Sequence, residues 1–77
     1  MHDSADPALA SALRQLRHAQ GNTQEAVAHN AGITVAALAR IERGEASPRW
    51  STVRRIIGGG LDVSLAELVA AVENAPV

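Results

Sequence analysis

Hydrolytic, redox and group-transfer chemistry each require reactive side chains at particular spacings, and these 77 residues contain no such arrangement. There is no cysteine, so neither a disulfide framework nor a thiolate metal site is available. His2, His18 and His29 are too scattered to form a metal site, with no HxxxH or HExxH spacing, and are read as surface residues. No nucleophile has a base nearby, no glycine loop could cradle a phosphate, and no two carboxylates pair. An enzyme is therefore rejected, and no cofactor is expected. The arginines are more informative. All seven basic residues are arginine, and Arg40, Arg43, Arg49, Arg54 and Arg55 fall within sixteen positions. Five of the eight acids, Asp3, Asp6, Asp62, Glu67 and Glu73, lie outside the stretch from Thr23 to Arg55. A formal net charge of −1 argues mildly against nucleic acid, since non-specific affinity is mostly neutralisation of phosphate. The uneven distribution nevertheless permits one basic face on a nearly neutral molecule.

The elements that would carry those arginines centre on Thr23 to Gly44, TQEAVAHNAGITVAALARIERG. Thr23 is a good helix N-cap, because its hydroxyl can accept from an unpaired amide of the first turn. Gly32 closes that helix in the left-handed conformation, and Thr34 caps the next one. Ile33 before the cap and Leu38 after it form a hydrophobic staple that fixes the angle between the helices. Gly44 is the next stop signal. Two helices crossing steeply over a short glycine-containing corner make a helix-turn-helix, whose second helix can enter the DNA major groove.

The rest of the chain completes an all-α, compact, five-helix domain with its helix-turn-helix in helices two and three. Its extent is residues 6–74, and residues 1–5, which lack periodicity, are expected to be disordered. Asp6 caps helix one with Pro7 at its first position, and Leu9, Ala12, Leu13 and Leu16 form its apolar stripe. Helix two buries Val27, Ala28 and Ala31. Helix three buries Leu38 and Ile41. Helix four carries Trp50, Val53, Ile56 and Ile57 on one side, and Gly58-Gly59-Gly60 is expected to end it early and fray, since each helical glycine costs up to ~1 kcal/mol relative to alanine. Helix five opens with a capping box, Ser64 with Glu67, and a staple of Val63 on Leu68. Its stripe of Leu65, Leu68, Val69 and Val72 is larger than so small a core requires, and is expected to supply a homodimer interface as well as core. No stretch approaches the ~18–20 apolar residues of a membrane span, and the N-terminus MHDSADP is acidic, unlike a signal peptide; a cytoplasmic location is the default.

In this pattern the chain resembles the Cro and phage-repressor type (XRE-like) helix-turn-helix proteins. The resemblance runs through Leu13-Arg14 and Arg17, Thr23-Gln24 and Ala28, and Gly32, Thr34 and Leu38. It continues through Arg40-Ile41-Glu42-Arg43-Gly44, Pro48, Thr52 and Val63-Ser64-Leu65, covering roughly residues 9–70. It implies a sequence-specific regulator of transcription that binds duplex DNA, a repressor acting as a homodimer on a palindromic operator. It also implies residue roles. Thr23 and Gln24 contact phosphate, Thr34, Val35, Ala36, Ala37 and Ala39 face the bases, and Arg40 reaches a base edge or a neighbouring phosphate. Arg43 and Arg49 clamp the backbone, and Arg17 with Glu42 forms an ion pair tying helix one to helix three. The sequence departs from the family at Asn22, usually apolar, where a looser junction is expected, and along helix three, whose reading face is mostly alanine. That second departure, with the net charge, supports an alternative: a protein-interaction module of the same fold, of the antitoxin type, with a toxin or other regulator as partner.

Overall fold

The computed structural model describes residues 6–75, so the disorder expected of residues 1–5 lies outside the described residues. Among the described residues five helices follow one another without a strand: α1 (Pro7–Gln20), α2 (Gln24–Ala31), α3 (Val35–Glu42), α4 (Trp50–Arg55) and α5 (Leu65–Asn74). α4 runs on without a break into a π-helical segment, Ile56–Gly60.

Local polar groups start four of the five. The Asp6 carboxylate accepts from the amides of Ala8 and Leu9 at 3.0 and 3.3 Å, just before Pro7. The hydroxyls of Thr23 and Thr34 each accept from the third amide of their helix, Ala26 and Ala37, at 3.0 Å. Ser64 and Glu67 close a reciprocal capping box, with bonds of 3.1 and 2.8 Å. A cap of this kind contributes about 1 kcal/mol. α4 alone begins without a side-chain cap.

The core is aliphatic. Ala12 and Leu13 meet Val27, Ala28 and Ala31, then Leu38, Ile41, Val53, Ile56, Ile57, Leu61 and Leu68, with Ile33 and Val63 half-buried at its edge just ahead of the α3 and α5 caps. Between α2 and α3 the chain turns at Gly32, whose φ of 74° places it in the left-handed region. The amide of Ile33 reaches back to the Ala28 carbonyl at 3.0 Å, which closes the end of α2.

Three expectations are corrected. The glycine triplet neither ends α4 nor frays. It forms the π-helical segment, with the Leu61 amide reaching the Ile56 carbonyl at 2.7 Å, and it lies directly on α2. A Cβ on Gly59 would stand 2.7 Å from the Asn30 carbonyl oxygen, and one on Gly60 2.8 Å from Val27 Cγ1. Two helices approach this closely only where the side chain is missing. Trp50, assigned by periodicity to the apolar side of α4, is 54% exposed, because burial on that helix begins at Val53. The α1–α2 junction, expected to be loose at Asn22, is tied by polar contacts: its amide donates to the Arg17 carbonyl at 3.2 Å, its carbonyl accepts from Arg17 Nη1 at 3.0 Å, and its side chain donates to Gln20 Oε1 at 2.8 Å.

Candidate nucleic-acid interface

α3 is fixed from within. Leu38 and Ile41 anchor it in the core, and its last residue, Glu42, is a carboxylate only 2% exposed. An ionised group so buried is tolerated only with donors on most of its lone pairs. Arg17 supplies two, Nε to Oε2 and Nη2 to Oε1, both at 2.8 Å. Gln24 Nε2 supplies a third to Oε1 at 3.1 Å, and Arg14 Nη1 donates to the Glu42 backbone carbonyl. Arg17 spends two of its three remaining hydrogens on the Asn22 carbonyl and on His18 Nε2, 3.2 Å away. A guanidinium only donates, so that ring nitrogen is the acceptor. The hydrogen bond to Glu42 holds the Arg17 guanidinium more firmly protonated than usual, outweighing the burial that disfavours its charge. The cluster thus joins the middle of α1, the first residue of α2 and the last residue of α3.

The outer side of α3 is different. Thr34, Val35, Ala36 and Arg40 are exposed, and Ala37 and Ala39 half-buried. Thr34 uses its hydroxyl oxygen as the α3 cap, and Thr23 does the same for α2. Val35, Ala36, Ala37 and Ala39 carry no polar side-chain atom, and the Arg40 guanidinium has no hydrogen-bond partner among the described residues. At the end of α3, Arg43 pairs with Glu45 through bonds of 3.0 and 3.1 Å, with both side chains more than half exposed. The Glu45 carboxyl is held below the usual carboxylate range, chiefly by this hydrogen bond. Solvent screens so exposed a pair, so a phosphate could take Arg43 from Glu45 at small cost. Arg49 is exposed at the residue preceding α4.

The structure therefore places Thr23 and Gln24 at the start of α2, Thr34 to Arg40 along the outer side of α3, and Arg43 and Arg49 at the two ends of the connector. Gln24 is bonded inward to Glu42 and is not simply a solvent-facing group. On α5, Leu65 and Val69 are 47% and 46% exposed and Val72 is half-buried, but Leu68 is 4% exposed. Leu68 is accordingly corrected from interface to core: as the fourth residue of α5 it is the inward half of the staple with Val63. Arg14 and the second role of Gln24 were missed. Arg14 stands one helical turn before Arg17, a spacing that puts both on one side of α1 and was the available signal. An open recess of about 360 Å³ is lined by Ser51, Arg54 and Arg55 of α4 and by no residue of α3. His18 and His29 are exposed, and no group of three or more histidine or acidic side chains that could hold a metal occurs among the described residues. No helix among them is long and apolar enough to cross a membrane.

The family described as a helix-turn-helix domain matches residues 8–71. Among solved structures, the chain is similar to the wild-type restriction-modification controller protein C.Esp1396I, with 21% identity over 87% of this chain and 85% of that one and a TM-score of 0.81. A likeness this distant in sequence speaks for the fold. It is similar also to the controller protein C.AhdI from Aeromonas hydrophila, with 27% identity over 80% and 92% of the two chains and a TM-score of 0.75. A transcriptional regulator of the HTH_3 family from Vibrio cholerae shares 36% identity over 83% of this chain but only 35% of its own length, at a TM-score of 0.78. No curated protein matches the chain.

Proposed function

We propose that this chain, which belongs to the family of helix-turn-helix domains and is XRE-like among them, is a sequence-specific regulator of transcription that binds duplex DNA through α2 and α3. Its single domain spans residues 6–74, works in the cytoplasm without enzymatic activity, and acts as a repressor by occupying a promoter as a homodimer on a palindromic operator. The observation that carries this is the division of α3. One side is locked by Leu38, Ile41 and Glu42, and the other presents Val35, Ala36 and Arg40 to solvent without side-chain hydrogen bonds among the described residues. A surface helix held this rigidly, with an outward face spent on nothing inside the molecule, is suited to enter a groove.

On this reading Thr23 and Gln24 contact phosphate beside the free amides at the start of α2. Arg43 and Arg49 hold the backbone on the connector side. Thr34 and Arg40 reach base edges, while the methyl groups of Val35, Ala36, Ala37 and Ala39 pack on thymine methyls. One chain presents one reading helix, and a second copy joined through Leu65, Val69 and Val72 supplies the other about 34 Å away, one turn of DNA. Similar chains described as restriction-modification controllers and transcriptional regulators support a regulatory role.

The apolar outer face of α3 and the net charge of −1 favour a second reading, a module of the same fold that binds a protein partner, a toxin or another regulator, and DNA only weakly. A gel shift on random and on promoter duplexes, repeated from low to high salt, separates the two. DNA binding must weaken steeply as salt rises, because cations on the protein displace counterions from phosphate. Absence of a shift at low salt, or one indifferent to salt, would leave the protein-binding reading standing alone.

A further inference from the structure

Glu42 bonds to more of the interface than an ion pair needs. Its Oε1 accepts from Arg17 Nη2 of α1 at 2.8 Å and from Gln24 Nε2 of α2 at 3.1 Å, while its own backbone belongs to the end of α3. The bond to Gln24 therefore spans the helix-turn-helix itself, from the first residue of one helix to the last residue of the other. Gln24 is half-buried, and with one Nε2 hydrogen committed to Glu42 it has its second amide hydrogen and its carbonyl oxygen without a partner among the described residues.

We propose that Glu42 is a positioning residue for the phosphate contact of Gln24, holding that side chain in its binding rotamer before DNA arrives and fixing the register between phosphate grip and reading helix. This rests on the reading of Gln24 as a phosphate contact given above. Two physical points support it. A free glutamine has several rotatable bonds, and freezing such a side chain only on binding lowers affinity by about three- to tenfold; a carboxylate already holding the amide removes that loss. A bare carboxylate near DNA would repel phosphate, but this one is neutralised by a two-bonded guanidinium, so it can orient a contact without opposing it. Because the same residue ends α3, sliding the phosphate grip relative to the reading helix would break the bond at Oε1. Phosphate contacts set the orientation in which bases are read, and Glu42 links the two.

The test uses a random-sequence duplex of about 30 base pairs at low salt, since a phosphate contact is blind to sequence. Affinity is measured for the full chain and for Gln24→Ala in three backgrounds, wild type, Arg17→Ala and Glu42→Ala, at a temperature where circular dichroism shows each folded. Gln24→Ala is expected to weaken binding about tenfold in the wild-type and Arg17→Ala backgrounds and less than twofold in Glu42→Ala. Equal losses in all three would overturn the positioning role while leaving Gln24 on the phosphate. Losses abolished in both the Arg17 and the Glu42 backgrounds would show general loosening of the scaffold, and would overturn it as well. No loss in wild type would remove the phosphate-contact reading of Gln24 and this inference with it. One measurement requires no substitution. By nitrogen relaxation the side-chain amide of Gln24 in the free wild-type chain should be as ordered as the backbone, and a freely rotating amide would overturn the inference.

Discussion

Replacing Gly58, Gly59 and Gly60 one at a time by alanine should move stability in opposite directions at adjacent positions. Their φ angles are not in the left-handed region, so the outcome turns on space. At Gly58 a Cβ meets nothing within 4 Å. Alanine there removes freedom from the unfolded chain without cost to the fold, and should stabilise by about 0.4 to 1 kcal/mol. At Gly59 the Cβ would stand 2.7 Å from the Asn30 backbone oxygen, well inside the roughly 3.3 Å of a close carbon–oxygen contact. A backbone atom in the last turn of α2 cannot rotate away, so the helices must separate. At Gly60 the Cβ would lie 2.8 Å from Val27 Cγ1 and 3.0 Å from the Val27 carbonyl oxygen. Val27 is 1% exposed and β-branched, and has no second rotamer to retreat into. Overpacking of this size costs about 1 to 3 kcal/mol, and the entropic gain of alanine returns about half a kilocalorie of it. A core this small supplies only about 3 to 5 kcal/mol in total, so either change should lower the melting temperature by several degrees. Urea unfolding followed by far-ultraviolet circular dichroism measures all three, with an unchanged slope expected in each. Gly59→Ala and Gly60→Ala as stable as wild type would show that α2 and the π-helical segment do not touch. Gly58→Ala as damaging as its neighbours would trace the effect to π-helical geometry, and the collision argument would fail.

Arg17→Ala or Glu42→Ala should each cost about 3 kcal/mol or more, because each strands a buried partner, and the double substitution should recover part of the loss; a double-mutant cycle on urea stability without coupling would sink that account. Leu68→Asp should unfold the chain by burying a lone carboxylate in the core, whereas Val69→Asp should keep its helicity and lose only association, which sedimentation at tens of micromolar resolves. A wild-type chain that is monomeric there would end the dimer reading. In selection from a randomised DNA pool, Arg40→Ala should flatten preference at one base pair per half-site, a bidentate arginine–guanine contact being worth about 1 to 3 kcal/mol, while Arg43→Ala should weaken all sequences alike. An unchanged preferred sequence for Arg40→Ala would move that residue to the phosphate backbone.

Much of the scaffold was legible because it is written locally. A cap at Asp6, Thr23, Thr34 or Ser64 depends on three or four consecutive residues, and so do the staples of Ile33 on Leu38 and Val63 on Leu68. What failed depends on residues far apart in the chain. The glycines looked like a weak helix end because propensity registers only their cost; the close approach that calls for them involves Asn30 and Val27, some thirty positions earlier. Trp50 falls on the right side of α4 by periodicity, but no period says that burial starts one turn later. Leu68 and its exposed neighbour Val69 sat together in one apolar stripe, although the staple with Val63 already turned Leu68 inward. The pairing of Arg17 with Glu42 came from resemblance alone. Arg14 was announced only by its one-turn spacing from Arg17, and nothing local to Gln24 announced that it would converge on the same glutamate.

α3 divides its eight residues so that what holds it and what it shows share almost no member. Leu38, Ile41 and Glu42 face inward, and the residues facing out form no internal side-chain bonds. Changes among Val35, Ala36 and Arg40 should therefore leave melting almost untouched, because their exposed side chains take no part in the Thr34 cap or in the buried pair. Whatever those residues recognise can then drift by single substitutions with no compensating change in the scaffold. Two copies of the gene in one cell could diverge into regulators blind to each other's sites while keeping the same fold, the same stability and the same means of locking the helix.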